Sequence, residues 1–535
     1  RVLFRSIAAG WLYLGEPEPD NWWWIGGSAP SDVEDWNFGY YDEISQAWDQ
    51  IAYDAPHYLI VKAAGNDRSD VGPAPDEEYT VIDQEGNFLF TSTLPRNPDC
   101  YPDGYDCLPT HSVAKNILTV GAVDDVPGGY SPLTGPSAVQ MTPFSAWGPT
   151  DDGRIKPDVV GNGLFLMSTW PEYPYYAAAA GTSMASPSIA GSLLLWQQHY
   201  ETTHGSGQFM SAAMLKALAI HTADETGAAN GPDYEYGWGL LNSRVAAGVI
   251  TDPDGQHQML EGSLAPGATD TFEVNVDAAD SKITVTLVWM DPPGTPPAPA
   301  LDPNDLMLVN DLDLRVTQGS STWFPWILDP ANPSAPASTG DNFRDNVEQV
   351  EILDAGPGAY SVRISHKDSL HNGIHQGYAM IISVTAASPV SSGILIDEDF
   401  SGGLPTGWTI ETPQGKAWTI NDPIPGDPRL DNLTGGSGRF AIVDNAYMYN
   451  TITSLRTPVI DLSARTSVVL RFLSNHYFDT FESYNVDTSN DGGNSWTNAW
   501  TFSGFYPLPA QWVIDLSGQL AGQATAMIRF RFDSG

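Results

Sequence analysis

The chain has 535 residues, and its 65 acidic against 23 basic side chains give a net charge of −42 at pH 7. That balance excludes nucleic acid as a partner, because phosphate binding needs clustered Lys and Arg, and it disfavours anionic membranes. Hydrophobic content of 41% is ample for packed cores, and no apolar run reaches the ~18 residues of a membrane span.

The length predicts about three domains, and so acidic a surface suits a soluble, secreted protein. Val2-Leu3-Phe4 and Leu59-Ile60-Val61 are short apolar runs suited to buried parallel strands. Trp22-Trp23-Trp24 reads as an aromatic cluster under a loop, and residues 67–112 as a long polar insertion with little periodicity. Within it Cys100 and Cys107 stand seven positions apart. In a secreted protein they would close a small loop as a disulfide; even with His111 they fall short of four zinc ligands.

Gly181-Thr182-Ser183-Met184-Ala185-Ser186-Pro187 carries the most chemistry. The nearly continuous apolar run after it predicts a helix buried on most sides. Gly181 allows a sharp turn, and Pro187, close to the first turn, lacks an N–H that would have had no intrahelical partner. Free amides and the positive end of the helix dipole then surround Ser183, where an oxyanion forms in acyl transfer. Ser183 is the candidate nucleophile. A second helix is predicted over Ser211–His221.

Beyond about residue 250 the pattern becomes period two, in 271–276 and 283–289, as in half-buried strands. Pro292–Pro303 is a Pro-rich loop, and Asn310, Asp311 and Asp313 are closely spaced oxygen donors suited to a structural Ca²⁺. A linker follows at 386–393, then a third unit in which Asp491-Gly492-Gly493 is a hairpin turn. Met527–Phe532 reads as a strand, and a sheet lacking the strand after it would leave an unpaired edge.

Several segments in this order resemble the subtilisin-like serine proteases. They are Ala63-Ala64-Gly65-Asn66, Asn116–Ala122, Phe144–Pro149, Gly153–Val159, Gly181–Pro187 and Tyr236–Gly239. Leu308–Leu314 and Asn346-Val347-Glu348 are similar to the β-barrel carried behind some bacterial members, and segments after Ile394 to appended jelly-roll modules. The resemblance implies an α/β domain over 1–248, a parallel sheet with flanking helices and its N-terminal part missing. Two all-β domains follow, a β-barrel or sandwich over 249–388 and a jelly roll over 394–535.

It further implies a secreted endopeptidase acting on protein or peptide substrates, needing no cofactor for catalysis. Asn66 would stand in the oxyanion hole, Ala64 and Gly65 would wall the first specificity pocket, and Phe38 with Gly39 would hold the peptide as a strand. The family runs Asp, His, Ser, yet no segment before Asn66 resembles its Asp or His motifs, and the chain opens on Arg1 instead of Met. The expectation is a sequence truncated at both ends, nearly inert alone, since loss of the base costs subtilisin about 10⁶ in turnover. The competing reading is a catalytically dead subtilase domain that presents the barrel and jelly roll to a cell surface or polymer, with a carbohydrate or cell-surface group as ligand of the C-terminal module.

Overall fold

The computed structural model describes residues 11–14, 21–24, 35–70, 72–74, 76–82, 87–94, 100, 104–126, 138–171, 175–253, 255–277, 281–386, 395–396, 400, 402–422, 439–443, 451–463, 465, 468–474, 483–502 and 510–534. They form two compact units, 1–125 with 135–388, and 126–134 with 389–535. The strand expected at Val2–Phe4 and most of the linker at 386–393 lie outside the described residues.

The first unit begins with β1 (Trp11–Leu14), β2 (Asn21–Trp24), α1 (Glu43–Asp54), β3 (Val61–Ala63), β4 (Tyr79–Ile82), β5 (Phe88–Ser92), β6 (Leu118–Val123) and β7 (Val159–Asn162). It continues with β8 (Leu166–Thr169), β9 (Tyr176–Ala179), α2 (Thr182–His204), α3 (Ala212–His221) and α4 (Ser243–Thr251). Then come β10 (His257–Leu264), β11 (Asp270–Val276), β12 (Ser281–Val288), β13 (Leu312–Gln318), β14 (Ser321–Trp323), β15 (Trp326–Ile327), β16 (Ser338–Thr339), β17 (Val347–Ala355), β18 (Gly358–His366) and β19 (Gln376–Ala386).

β3, β6 and β7 form a parallel sheet in that order. Every residue of β6 is buried, as a strand covered on both faces requires. One face is covered by α2 through the stripe Ala185, Ile189, Leu193 and Trp196. The helix is not buried on most sides, however: Leu194 and Leu195 are 71% and 65% exposed.

Two other expectations are corrected here. Trp22–Trp24 is a strand, pairing with β1 and β4, and Trp24 packs with Tyr79 and Val81. The polar insertion likewise contributes β4 and β5 to that four-stranded sheet; short strands inside polar sequence leave too little periodicity to read. Cys100 and Cys107 are joined, their Cα atoms 4.9 Å apart.

Two antiparallel sheets, β10-β19-β12-β17 and β11-β18-β13-β14, enclose a second apolar core. Alternation along β12 sends Ile283, Val285 and Leu287 into it, while Val288 joins the core of the parallel sheet and helices. α3 lies against β12 and β19, and all of Ala212–Ile220 is buried, Lys216 included. Polar groups run through this junction. Lys115 Nζ meets Asp291 Oδ2 at 2.9 Å and donates to the carbonyls of Pro292 and Met307. Asn116 Nδ2 donates to the Asp291 carbonyl, and its Oδ1 accepts from the Asp291 N–H.

The second unit comprises β20 (Thr409–Gln414), β21 (Thr419–Asn421), β22 (Phe440–Ile442), β23 (Ile452–Arg456), β24 (Val469–Ser474), β25 (Ser483–Ser489), β26 (Thr497–Phe502), β27 (Ala510–Asp515), α5 (Ser517–Leu520) and β28 (Met527–Asp533). Its main sheet runs β20-β23-β28-β25-β26. β28 is therefore paired on both sides, and the argument from an unpaired edge at this point does not hold.

Candidate functional site

β3 ends at Ala63, and Ala64-Gly65-Asn66 continue from its carboxyl end, where α/β sheets hold their ligands. α2 starts beside them. Gly181, its first cap, has φ +148° with no side-chain cap bond, so the turn into the helix suits glycine. Its N–H donates to the Gly163 carbonyl at 2.8 Å, fixing the turn to the end of β7.

Asn66 and the serine segment converge. Asn66 Oδ1 accepts the Thr182 N–H at 2.9 Å and lies 2.9 Å from Thr182 Oγ1. Because Oδ1 faces two donors, the amide orientation is fixed, and Nδ2 is left to address another acceptor. A Cβ built on Gly181 would stand 3.6 Å from Nδ2. Ser183, next in sequence, is partly exposed, and its N–H is a first-turn amide with no intrahelical acceptor. Thr182 is wholly buried, with Oγ1 3.2 Å from both the N–H and the carbonyl of Gly65. Sequence reading missed Thr182; a hydroxyl residue between the cap glycine and the serine was the available signal.

Pro187 lies one turn further in than expected, inside α2. The N–H it lacks is the one that would bond the Ser183 carbonyl, so that carbonyl loses its usual helical donor.

Ala64 and Gly65 are buried beneath Asn66: Ala64 N–H is bound to Val120, and the Gly65 carbonyl accepts from Ala146. They hold the residue that carries the carboxamide. Phe38 and Gly39 were expected to hold the peptide as a strand. They sit in a turn, Phe38 is 4% exposed, and the Gly39 N–H and carbonyl are engaged with Leu108 and Asp151.

Among the described residues no hydrogen bond joins a histidine to Ser183. His57 Nδ1 lies 3.4 Å from the Met210 carbonyl, which also accepts from Gln197 of α2. Gln197 is fourteen residues beyond Ser183, about 21 Å along the helix. His199 and His204 lie further along still, at Thr251 and Ile250. His111 faces Asp42 and Trp48.

Behind Asn66, burial pushes the Asp67 carboxyl up to about 7, with Asp70 adding to the shift. Burial alone also holds Asp70 up at about 6. At Asn310, Asp311 and Asp313, where a structural Ca²⁺ was expected, two of the donors face side-chain cations. Lys367 Nζ lies 3.0 Å from Asp311 and 3.4 Å from Asp313, and Arg315 pairs with Asp313 at 2.7 Å. Asn310 is spent on Gln376 and the His371 N–H. Side-chain cations already neutralise the donors. Elsewhere, the carboxylates of Asp106, Asp151 and Asp302 come within 4.8 Å of one another. Burial first, then Asp106 and Asp302, push Asp151 up to about 10, so it carries a proton near neutrality.

The model of the subtilase family matches residues 27–239. The C5a peptidase of Streptococcus pyogenes serotype M6 is 31% identical over 148 residues, 26% of this chain and 12% of that protein. The serine protease/ABC transporter B family protein tagA of Dictyostelium discoideum is 22% identical over 401 residues, 61% of this chain and 22% of its own. The chain thus spans between an eighth and a quarter of the length of these relatives. Among solved structures the patellamide maturation protease PatA is 19% identical over 40% of this chain and 59% of its own, at a TM-score of 0.27 that carries no weight.

Proposed function

From the match of residues 27–239 to the subtilase family model, we propose that the chain is the serine-bearing portion of a secreted subtilisin-like endopeptidase. Ser183 Oγ, giving its proton to a general base, attacks the scissile carbonyl; the C–N bond then breaks, the amine leaves with that proton, and an acyl-enzyme remains. The oxyanion is taken by the Ser183 N–H and Asn66 Nδ2, at the positive end of α2. The supporting observation is the double hold of Thr182 on Asn66 Oδ1, which turns Nδ2 away from the scaffold. The general base and its orienting carboxylate come from sequence outside this chain, since the described histidines near α2 are engaged far from Ser183. Water then attacks the acyl-enzyme with help from the same base. The Cys100–Cys107 bridge supports an oxidising, extracellular setting.

The test is covalent labelling of the full-length protein by a fluorophosphonate. Labelling that disappears in Ser183→Ala and weakens about 10²–10³-fold in Asn66→Leu is expected. A full-length protein that remains unlabelled, with its histidine motif intact, would favour the reading as a binding protein without catalysis.

A further inference from the structure

Arg68 follows Asn66 by two residues, inside the 3₁₀ turn Asp67–Ser69 that Asn66 opens. Its side chain leaves that turn and crosses to the segment Thr142–Trp147. Nε donates to the Ser145 carbonyl at 2.8 Å, and Nη2 donates to the Thr142 carbonyl at 2.8 Å. The guanidinium carbon lies 4.0 Å from the centre of the Trp147 ring. A Cβ on Gly104 would stand 3.4 Å from Nη1 and 3.5 Å from Trp147 Cζ3, so the loop before Cys107 passes close to both groups.

In a chain with 65 acidic side chains, this guanidinium is bonded to two backbone carbonyls and, among the described residues, to no carboxylate. Shape counts here as much as charge: a flat fork reaches two acceptors while lying over an indole face. A lysine ammonium, a single point of charge on a flexible stem, does not reproduce fork and stack together.

The segment that receives Arg68 is itself fixed to the parallel sheet. Thr142 gives both its N–H and its hydroxyl to the Ala122 carbonyl, at 3.1 and 2.9 Å, and the Ala122 N–H donates to Ser145 Oγ at 2.9 Å. Ala122 belongs to β6, the middle strand. The same segment also holds the residue before Asn66, because the Ala146 N–H donates to the Gly65 carbonyl at 3.1 Å. Asn66 is therefore bracketed. Gly65 before it and Arg68 after it are both tied to 142–147, while Thr182 takes its Oδ1.

We propose that Arg68 is a positioning residue of the oxyanion hole. Through the Ser145 and Thr142 carbonyls and the Trp147 ring, it sets where Asn66 Nδ2 stands relative to the Ser183 N–H. This role rests on the function proposed above and extends it to a residue that lends no atom to the reaction. The two donors must meet one oxygen, and misplacing such a group by about 1 Å costs up to about 10²-fold in rate. The intact peptide binds before the oxyanion forms, so KM does not follow.

The test uses the full-length protein carrying Arg68→Lys, Asn66→Leu or both, with rates taken per serine titrated by a fluorophosphonate so that unfolded protein does not count. Arg68→Lys is expected to lower kcat by between about tenfold and about a hundredfold. KM should stay within about twofold, as for an interaction made only in the transition state. In the Asn66→Leu background the same substitution should have almost no further effect, because no carboxamide is left to place. Arg68→Ala, a second variant, should regain rate in added methylguanidinium, which refills the space over Trp147. A loss as large in the Asn66→Leu background as in the unaltered protein would overturn the role. So would a loss carried by KM, or an Arg68→Ala variant that methylguanidinium leaves unchanged. An unlabelled parent would overturn the proposed function itself, and this role with it.

Discussion

Thr182 contributes no atom to the proposed reaction, yet its hydroxyl is one of two groups that decide which way the Asn66 amide faces. Thr182→Val keeps the shape and the backbone N–H but removes the hydroxyl. A hydrogen bond of this kind is worth about 1 kcal/mol. On the proposed function the full-length protein should lose roughly fivefold in kcat with little change in KM, since the oxyanion forms only after binding; an unchanged kcat would show that the backbone N–H alone suffices. At this scale the sequence was legible where chemistry needs a fixed residue type. Ser183 and Asn66 were singled out from short motifs, and Asn66 bonds Thr182, the residue before Ser183. The role of Phe38 and Gly39 depends on which backbone groups remain unbonded, and bonding to Leu108 and Asp151 cannot be read from residue type.

Between elements, buried charge matters more than any one apolar contact. Asp158, just before β7, is buried with two lysines, Lys156 at 2.5 Å and Lys216 of α3 at 3.0 Å. Burial by itself would raise the Asp158 carboxyl, but the two ammonium groups override it and hold it low. Burial also brings Lys156 down to about 7. Asp158→Asn leaves two positive charges without their counter-ion, at a cost of about 3–5 kcal/mol. Because Lys156 can shed its proton, the loss should be larger at pH 6 than at pH 9 in urea unfolding. Equal losses at both pH values would mean that Lys156 stays charged. None of this was legible: Lys156 and Asp158 look like loop charges, and Lys216 interrupts an apolar helix. The helices themselves were legible from composition, although α2 proved one-faced, because apolar residues on its second face gave no sign of what covers them.

For the whole molecule, the shift to period two near residue 250 was a true change of architecture, but it hid how firmly the parts are joined. Val288, Met290, Val347, Ala379 and Ile381 belong to the same core as β6, α2 and α3. Lys115 takes its acceptors from Asp291, Pro292 and Met307. Residues 1–250 produced alone should therefore lack fixed packing, with weak near-ultraviolet dichroism and strong dye binding. A cooperative unfolding transition in that piece would refute the shared core.

The second unit carries a different constraint, one of timing. Its main sheet is assembled around β28, which joins β23 on one side to β25 on the other. Until Met527–Asp533 leave the ribosome, the two halves of that sheet have no strand to connect them, however long ago they were translated. This sheet must therefore close late, and its earlier strands wait in the nascent polypeptide with their ladders half made.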